Sequence, residues 1–215
     1  MQISSMRVGA IQTNCYFIES QGECLVVDPG ASPRSILGEV ERNGYKLVGV
    51  VLTHNHWDHT GGLPDIVEAT GVTTYAHELD ADGVYCTDDL GLRMSPSLRA
   101  AHQRAVEAGY KVDVRVKEGD EIKVGESTFT VIHTPGHTVG SMCLYCADEK
   151  VLISGDTLFA GGRHGRTDFA TGSAAAMSET LRTKFVDIPD DVAVLPGHEG
   201  TSSMQTERRL NPELV

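Results

Sequence analysis

The densest chemistry in the sequence lies in Thr53-His54-Asn55-His56-Trp57-Asp58-His59, directly after the apolar run KLVGVVL. In extended backbone, residues two apart face the same side, so His54 and His56 can reach one cation. Asp58 and His59 arise as the chain turns towards the next element, and they can reach another. Packing offers no reason for four ligand-type side chains within six residues. Imidazole with carboxylate suits zinc, manganese or iron, and Gly61-Gly62 immediately afterwards allows close backbone approach.

Three more residues share one context. His137 in TPGHT, Asp156 in ISGDT and His198 in LPGHEG each follow an apolar stretch and sit beside glycine or proline. Each places a ligand-type side chain on a loop at a strand end, where a rigid sheet can aim it. With the first four they suffice for two ions, provided Asp156 is shared between them. A lone His-x-His or a lone Asp after glycine has a bland reading as a surface or turn residue; the joint pattern does not. His77, His102, His133 and His164 lie outside these motifs and read as surface or core histidines.

Such loops need a scaffold. CYFIES and ECLVVD, separated by Gln21-Gly22, predict an antiparallel hairpin. A helix follows Asp28-Pro29-Gly30, with Ser32 as its cap, Pro33 at its first position and apolar residues at helical spacing up to Gly44. KLVGVVL predicts a buried strand, LPDIVEAT a helix and VTTYA a short strand. The stretch 78–96 is polar and turn-rich, and 97–109 reads as an amphipathic helix, a candidate flap near the site that carries His102. EIKV, STFTVIH, SMCLYC, KVLIS and VAVL predict strands, with a helix inside SAAAMSETLRTKF. Two similar series of strands and helices are best buried as two face-to-face sheets with helices outside, an α/β fold in four layers, αββα, over one domain spanning 1–215.

Composition narrows the function. Of 215 residues 40% are hydrophobic, enough for a globular core. The formal net charge of -12 and the lack of a basic patch argue against nucleic acid as partner. Two divalent cations would concentrate positive charge at the site and draw a small anionic substrate there. The first residues lack the pattern of a secretory signal, and no window approaches a membrane span, so a cytoplasmic protein without membrane association is expected. Five cysteines, an odd number, read mainly as buried free thiols. Cys143 and Cys146 form a C-x-x-C, but their odd separation within a strand sends them to opposite faces.

THNHWDHTGG, TPGHTVGS, SGDTLFAGG and PGHEG, in this order, resemble the metallo-β-lactamase superfamily, a likeness running from about Asn14 to Asn211. GDTLF, GRTDF and the closing ERRLNPEL are similar to the hydroxyacylglutathione hydrolases (glyoxalase II), especially their short single-domain relatives. The resemblance implies an αββα sandwich with a dinuclear centre, most simply zinc, with iron or manganese as alternatives. His54, His56 and His137 would then bind the first ion, Asp58, His59 and His198 the second, and Asp156 would bridge. It also puts Arg166 beside the thiol portion of the substrate, while Asp168 stands where those enzymes usually have tyrosine. The longer glyoxalase II proteins carry a C-terminal helical domain that grips glutathione, and no such grip is expected from the 17 residues given after His198.

The implied chemistry is hydrolysis by a water whose pKa falls from about 15.7 towards 7 between two cations, with Asp58 orienting the resulting hydroxide. A thioester suits this site, because its thiolate leaves without a dedicated general acid. No G-x-S-x-G elbow offers a competing nucleophile. The main alternative is a persulfide dioxygenase, which shares the His-x-His-x-Asp-His motif and GRTDF but holds one iron through two histidines and the aspartate. A lactonase fits the same centre. A β-lactamase would ordinarily be exported, with cysteine at position 156, and a non-catalytic binding protein would be expected to have lost a ligand.

Overall fold

The computed structural model describes residues 1–82, 96, 99–100, 103, 107 and 109–214. The expected flap helix over 97–109 lies mostly outside them, as do Cys86 and His102.

Among the described residues the strands form two six-stranded sheets. The first runs in spatial order β1 (Gln2–Val8), β2 (Thr13–Ser20), β3 (Glu23–Val27), β4 (Lys46–Leu52), β5 (Thr74–His77) and β6 (Val114–Val116). The second holds β7 (Glu121–Val124), β8 (Ser127–His133), β9 (Met142–Cys146), β10 (Val151–Gly155), β11 (Ala193–Pro196) and β12 (Ser202–Ser203), again in chain order from one edge. The predicted hairpin joins β2 to β3 antiparallel, closing on Ser20 opposite Glu23. Gln21 at φ 55° and Gly22 at φ 79° form the two-residue turn whose twist matches the strands. The β3–β4, β4–β5 and β5–β6 pairs are parallel.

Side-chain alternation explains the layers. Tyr16, Ile18, Leu25, Val27 and Val51 point inward and meet Ile122, Phe129, Val131, Leu144 and Ile153 of the other sheet. Their neighbours Cys15, Phe17, Cys24, Val26, Val50 and Leu52 point outward, against Ile36 and Val40 of α1 (Pro33–Arg42) and Leu63 and Ile66 of α3 (Leu63–Thr70). On the far side Cys143, Leu152 and Val194 pack against Met177 and Leu181 of α4 (Ala174–Thr183) and Met204 of α5 (Met204–Leu210). The predicted αββα sandwich is therefore present. Because both faces of each sheet are covered, these strands read as continuous apolar runs. A buried phenylalanine such as Phe17 or Phe129 contributes roughly 1.5–3 kcal/mol.

One local expectation is corrected. Ser32 precedes α1 but its hydroxyl caps nothing: its backbone is left-handed, at φ 59°. Its carbonyl, rather than its side chain, accepts the Ser35 and Ile36 N–H groups, while Pro33 has no N–H to satisfy. The C-x-x-C behaves as expected. Cys143 belongs to the helix-facing core and Cys146 to the inter-sheet core, and burial lifts the Cys143 thiol to about 12. No helix among the described residues is long and apolar enough to cross a membrane.

Candidate metal centre

The seven candidate ligands follow the C-terminal ends of four strands. β4 runs into His54, and α2 (Trp57–Thr60) begins one residue after His56, carrying Asp58 and His59. β8 leads to His137, β10 to Asp156 and β11 to His198. A one-turn helix in place of continued strand brings Asp58 and His59 together with His198 while His54 and His56 meet His137, which is how six residues address two positions.

All seven side chains converge. Potential ligand atoms of His54, His56 and His137, of His54, His59 and Asp156, and of Asp58, His59 and His198 each lie within 4.8 Å of one another. In the last trio, Asp58 Oδ2 is 3.3 Å from His59 Nε2 and 3.3 Å from His198 Nε2, and the two nitrogens are 3.4 Å apart. A tetrahedral cation with bonds of about 2.0–2.1 Å keeps its ligand atoms roughly 3.3–3.4 Å apart, so these three atoms outline one face of such a tetrahedron. Asp156 Oδ2 is 3.4 Å from His137 Nε2 and 3.6 Å from His198 Nε2, while Oδ1 is 3.4 Å from His59 Nε2. Its carboxylate thus touches both trios.

Hydrogen-bond satisfaction gives a second test. His54 Nε2, His56 Nε2, His137 Nε2 and Asp156 Oδ1 are buried with no hydrogen-bond partner. Buried polar atoms are rarely left so, and four in one place ask for a common partner. For three of the histidines the opposite nitrogen is already engaged: His54 Nδ1 with Thr53 Oγ1 at 3.1 Å, His59 Nδ1 with Asp28 Oδ2 at 2.8 Å, and His137 Nδ1 with the Arg166 carbonyl at 2.7 Å. Such contacts fix the ring and leave Nε2 for a cation. The cluster fits two divalent ions.

Electrostatics divides the set. Burial, reinforced by neighbouring imidazoles, pushes His54 well below its ordinary pKa and His56 down to about 3, and burial takes His137 to about 4. These three are neutral, as a ligand must be. Burial opposes charge on His59 and His198 too, yet the carboxylates of Asp58 and Asp156, joined at His59 by Asp28, outweigh it and raise both. Burial would raise Asp58, but His59 and His198 draw it well below the carboxylate range.

Spacing alone missed the residues that brace the ligands. The buried Asp28 carboxylate accepts from the Thr53 N–H at 2.8 Å and the Thr53 hydroxyl at 2.7 Å, besides holding His59. Asp80, also buried, accepts from the Asn55 N–H at 3.2 Å, the Thr138 hydroxyl at 2.7 Å and the Gly140 N–H at 3.0 Å, so it ties the His54–His56 loop to the His137 loop. Thr13 donates its hydroxyl to Asp58 Oδ2 at 3.1 Å. Glu207 of α5 accepts from the Gly161 and Gly162 N–H groups, anchoring the glycine-rich loop that leads to Arg166.

A cleft of about 500 Å³ opens onto the cluster, lined among others by Trp57, Phe159, Phe169, Arg7 and Arg166. Arg166 therefore stands at the site, but Asp168 engages its guanidinium through Nε at 2.9 Å and Nη2 at 2.7 Å, over the Phe169 ring. His164 is exposed and outside the ligand set, and His77 and His133 stack on each other with centroids 4.0 Å apart.

Comparison with known proteins agrees with this geometry. The model of the metallo-beta-lactamase superfamily matches residues 8–198. The probable metallo-hydrolase YqgX of Bacillus subtilis is 34% identical over 100% of this chain and 98% of its own length. The hydroxyacylglutathione hydrolase GloC of Haemophilus influenzae is 29% identical over 100% and 98%. Among solved structures, the BLEG-1 B3 metallo-beta-lactamase superposes over 100% of both chains with TM-score 0.84 and 28% identity. TTHA1623, solved in a di-iron-bound form, gives 0.77 with 29% identity over 98% of this chain and 100% of its own. ETHE1 from Myxococcus xanthus gives 0.76 with 26% identity, over 99% and 84%.

Proposed function

This chain belongs to the metallo-β-lactamase superfamily, and on that premise we propose that it hydrolyses small anionic thioesters, such as S-2-hydroxyacylglutathione, with two divalent cations, zinc first among them. The observation that carries the reading is the Asp156 carboxylate touching both ligand trios, with orphaned imidazole nitrogens beside it. His54, His56 and His137 would hold one ion, Asp58, His59 and His198 the other, and Asp156 would be shared. Cations there would supply an acidified water and a Lewis acid for the substrate carbonyl.

The chain's own groups do the rest. Asp58 holds the attacking water by accepting its proton in a hydrogen bond, and the Thr13 hydroxyl fixes the carboxylate for that task. Trp57, Phe159 and Phe169 give the cleft an apolar wall that excludes bulk water around the acyl group. Since a thiolate departs unaided, the lack of an assigned general acid suits thioesters better than amides. The full-length likeness to a hydroxyacylglutathione hydrolase supports the same substrate class. Buried free thiols at Cys15, Cys24, Cys143 and Cys146 suit a reducing cytoplasm.

The test combines elemental analysis with a substrate panel. About two ions per chain and turnover of S-D-lactoylglutathione are expected, both lost in Asp156→Ala. One iron per chain with oxygen uptake on glutathione persulfide would replace the reading with the persulfide dioxygenase whose His-x-His-x-Asp-His motif and GRTDF segment this chain shares. Preferential cleavage of a cephalosporin or an acyl-homoserine lactone would replace it with a lactamase or a lactonase.

A further inference from the structure

We infer that Arg7 is the anchor for a carboxylate of the substrate, at a subsite on the β1 side of the cleft; this rests on the thioester reading and specifies it. Apart from its histidines, the charged residues lining the cleft are Arg7, Asp58, Asp156, Arg166 and Glu199. Asp58 and Asp156 belong to the cation cluster. Glu199 is held by both terminal nitrogens of Arg163, and Arg166 is held in a fork by Asp168. Arg7 alone has no hydrogen bond or ion pair among the described residues, and it is exposed.

Register says where Arg7 looks. It pairs across β1–β2 with Asn14, and directly opposed residues share a face of the sheet. Asn14 Nδ2 donates to the carbonyls of Pro196 at 2.9 Å and Glu199 at 3.1 Å, on either side of His198. Arg7 therefore lies on the face that meets the His198 loop. Just beyond β1, Ile11 and Gln12 of the connecting turn line the same cleft, so the subsite combines one cation with an apolar shoulder.

A planar guanidinium unpaired among the described residues is matched to a carboxylate in a two-point contact. On a chain of net charge -12, such a cation at the mouth of a cleft is where an anion gains attraction before reaching the cations. Capture of Arg166 by Asp168 leaves the loop side neutral, which moves anion recognition across the cleft to β1. The substrate class is an acyl thioester whose thiol carrier bears a carboxylate away from the reacting carbonyl.

Arg7 is exposed on an edge strand, so Arg7→Ala and Arg7→Lys leave the core alone. The zinc-loaded wild type and both variants are compared on S-lactoylglutathione, on the neutral S-lactoyl-N-acetylcysteamine, and on lactoyl-coenzyme A, whose anions are phosphates. Arg7→Ala is expected to lower the preference in kcat/KM for the glutathione ester over the neutral ester on the order of tenfold, through KM, with Arg7→Lys between. An unchanged preference overturns the assignment, and a loss confined to the coenzyme A ester overturns the carboxylate in favour of phosphate. Calorimetric binding of non-cleavable S-methylglutathione separates this from the function itself. If no thioester is turned over but wild type binds this probe about tenfold more tightly than Arg7→Ala, the hydrolase reading fails and the subsite stands. If wild type does not bind it, the subsite falls.

Discussion

Asp80 shows how one side chain outside the ligand set governs it. Burial lifts its pKa above the ordinary carboxylate value, against three donors that favour the charge. Those donors belong to two ligand-bearing loops, Asn55 between His54 and His56, and Thr138 and Gly140 just after His137. Asp80→Asn keeps the shape but turns an NH2 group towards a donor, and the loops must part to relieve it. Zinc affinity, measured by competition with a chromogenic chelator, is expected to fall about 10- to 100-fold while the variant stays folded. Unaltered affinity would mean that Asp80 serves the fold alone. All seven candidate ligands were legible because their types cluster, or recur, beside glycine and proline at strand ends. Asp80 was not: its partners Asn55 and Thr138 stand 25 and 58 residues away, and a lone aspartate in a polar stretch reads as a turn former. Arg166 was legible in position but not in state, since its grip on Asp168 depends on side-chain geometry.

At the scale of elements, strand ends aim the ligands and small residues let them meet. Gly197 joins β11 to His198, and a Cβ there would lie 2.3 Å from Asp156 Oδ1 and 2.7 Å from His59 Cε1. The position has little room to retreat, because its N–H donates to the Gly155 carbonyl at 2.8 Å and its own carbonyl accepts from the Asn14 N–H at 2.7 Å. Gly197→Ala is therefore expected to cut bound metal from about two ions to one or fewer, read by elemental analysis, with the far-ultraviolet circular dichroism of wild type. Two retained ions would show that the loop yields. The long elements were readable because burial on both faces gives unbroken apolar runs such as KLVGVVL, ended by clear punctuation. β1 escaped notice because it is an edge strand with Gln2, Ser4, Ser5 and Arg7 exposed. β6, β12 and α5, at 3, 2 and 7 residues, are too short for their periodicity to register.

For the whole molecule, the decisive fact is how the two sheets share the site. Each trio takes two residues from the loop after β4, in the first sheet, and one from a loop of the second: His54 and His56 with His137, and Asp58 and His59 with His198. Cations bound there fasten one sheet to the other at one end of the sandwich, where the direct links include backbone bonds such as Met142 N–H to the Thr53 carbonyl at 2.9 Å. The inter-sheet core around Phe129, Val131 and Leu144 needs no metal, so the ion-free chain should keep its fold. Ions held at a thousandfold above their Kd add about 4 kcal/mol to stability, and in a chain of this size each kcal/mol moves Tm by roughly 2–4 °C. Exhaustive chelation is thus expected to lower Tm on the order of 10 °C in scanning calorimetry and to leave the secondary structure unchanged. Hydrogen exchange should rise first at Asn14 and Met142, whose amides donate from one sheet to the other. A Tm indifferent to chelation would mean that the converging side chains do not clasp the sheets through bound cations, whatever their spacing.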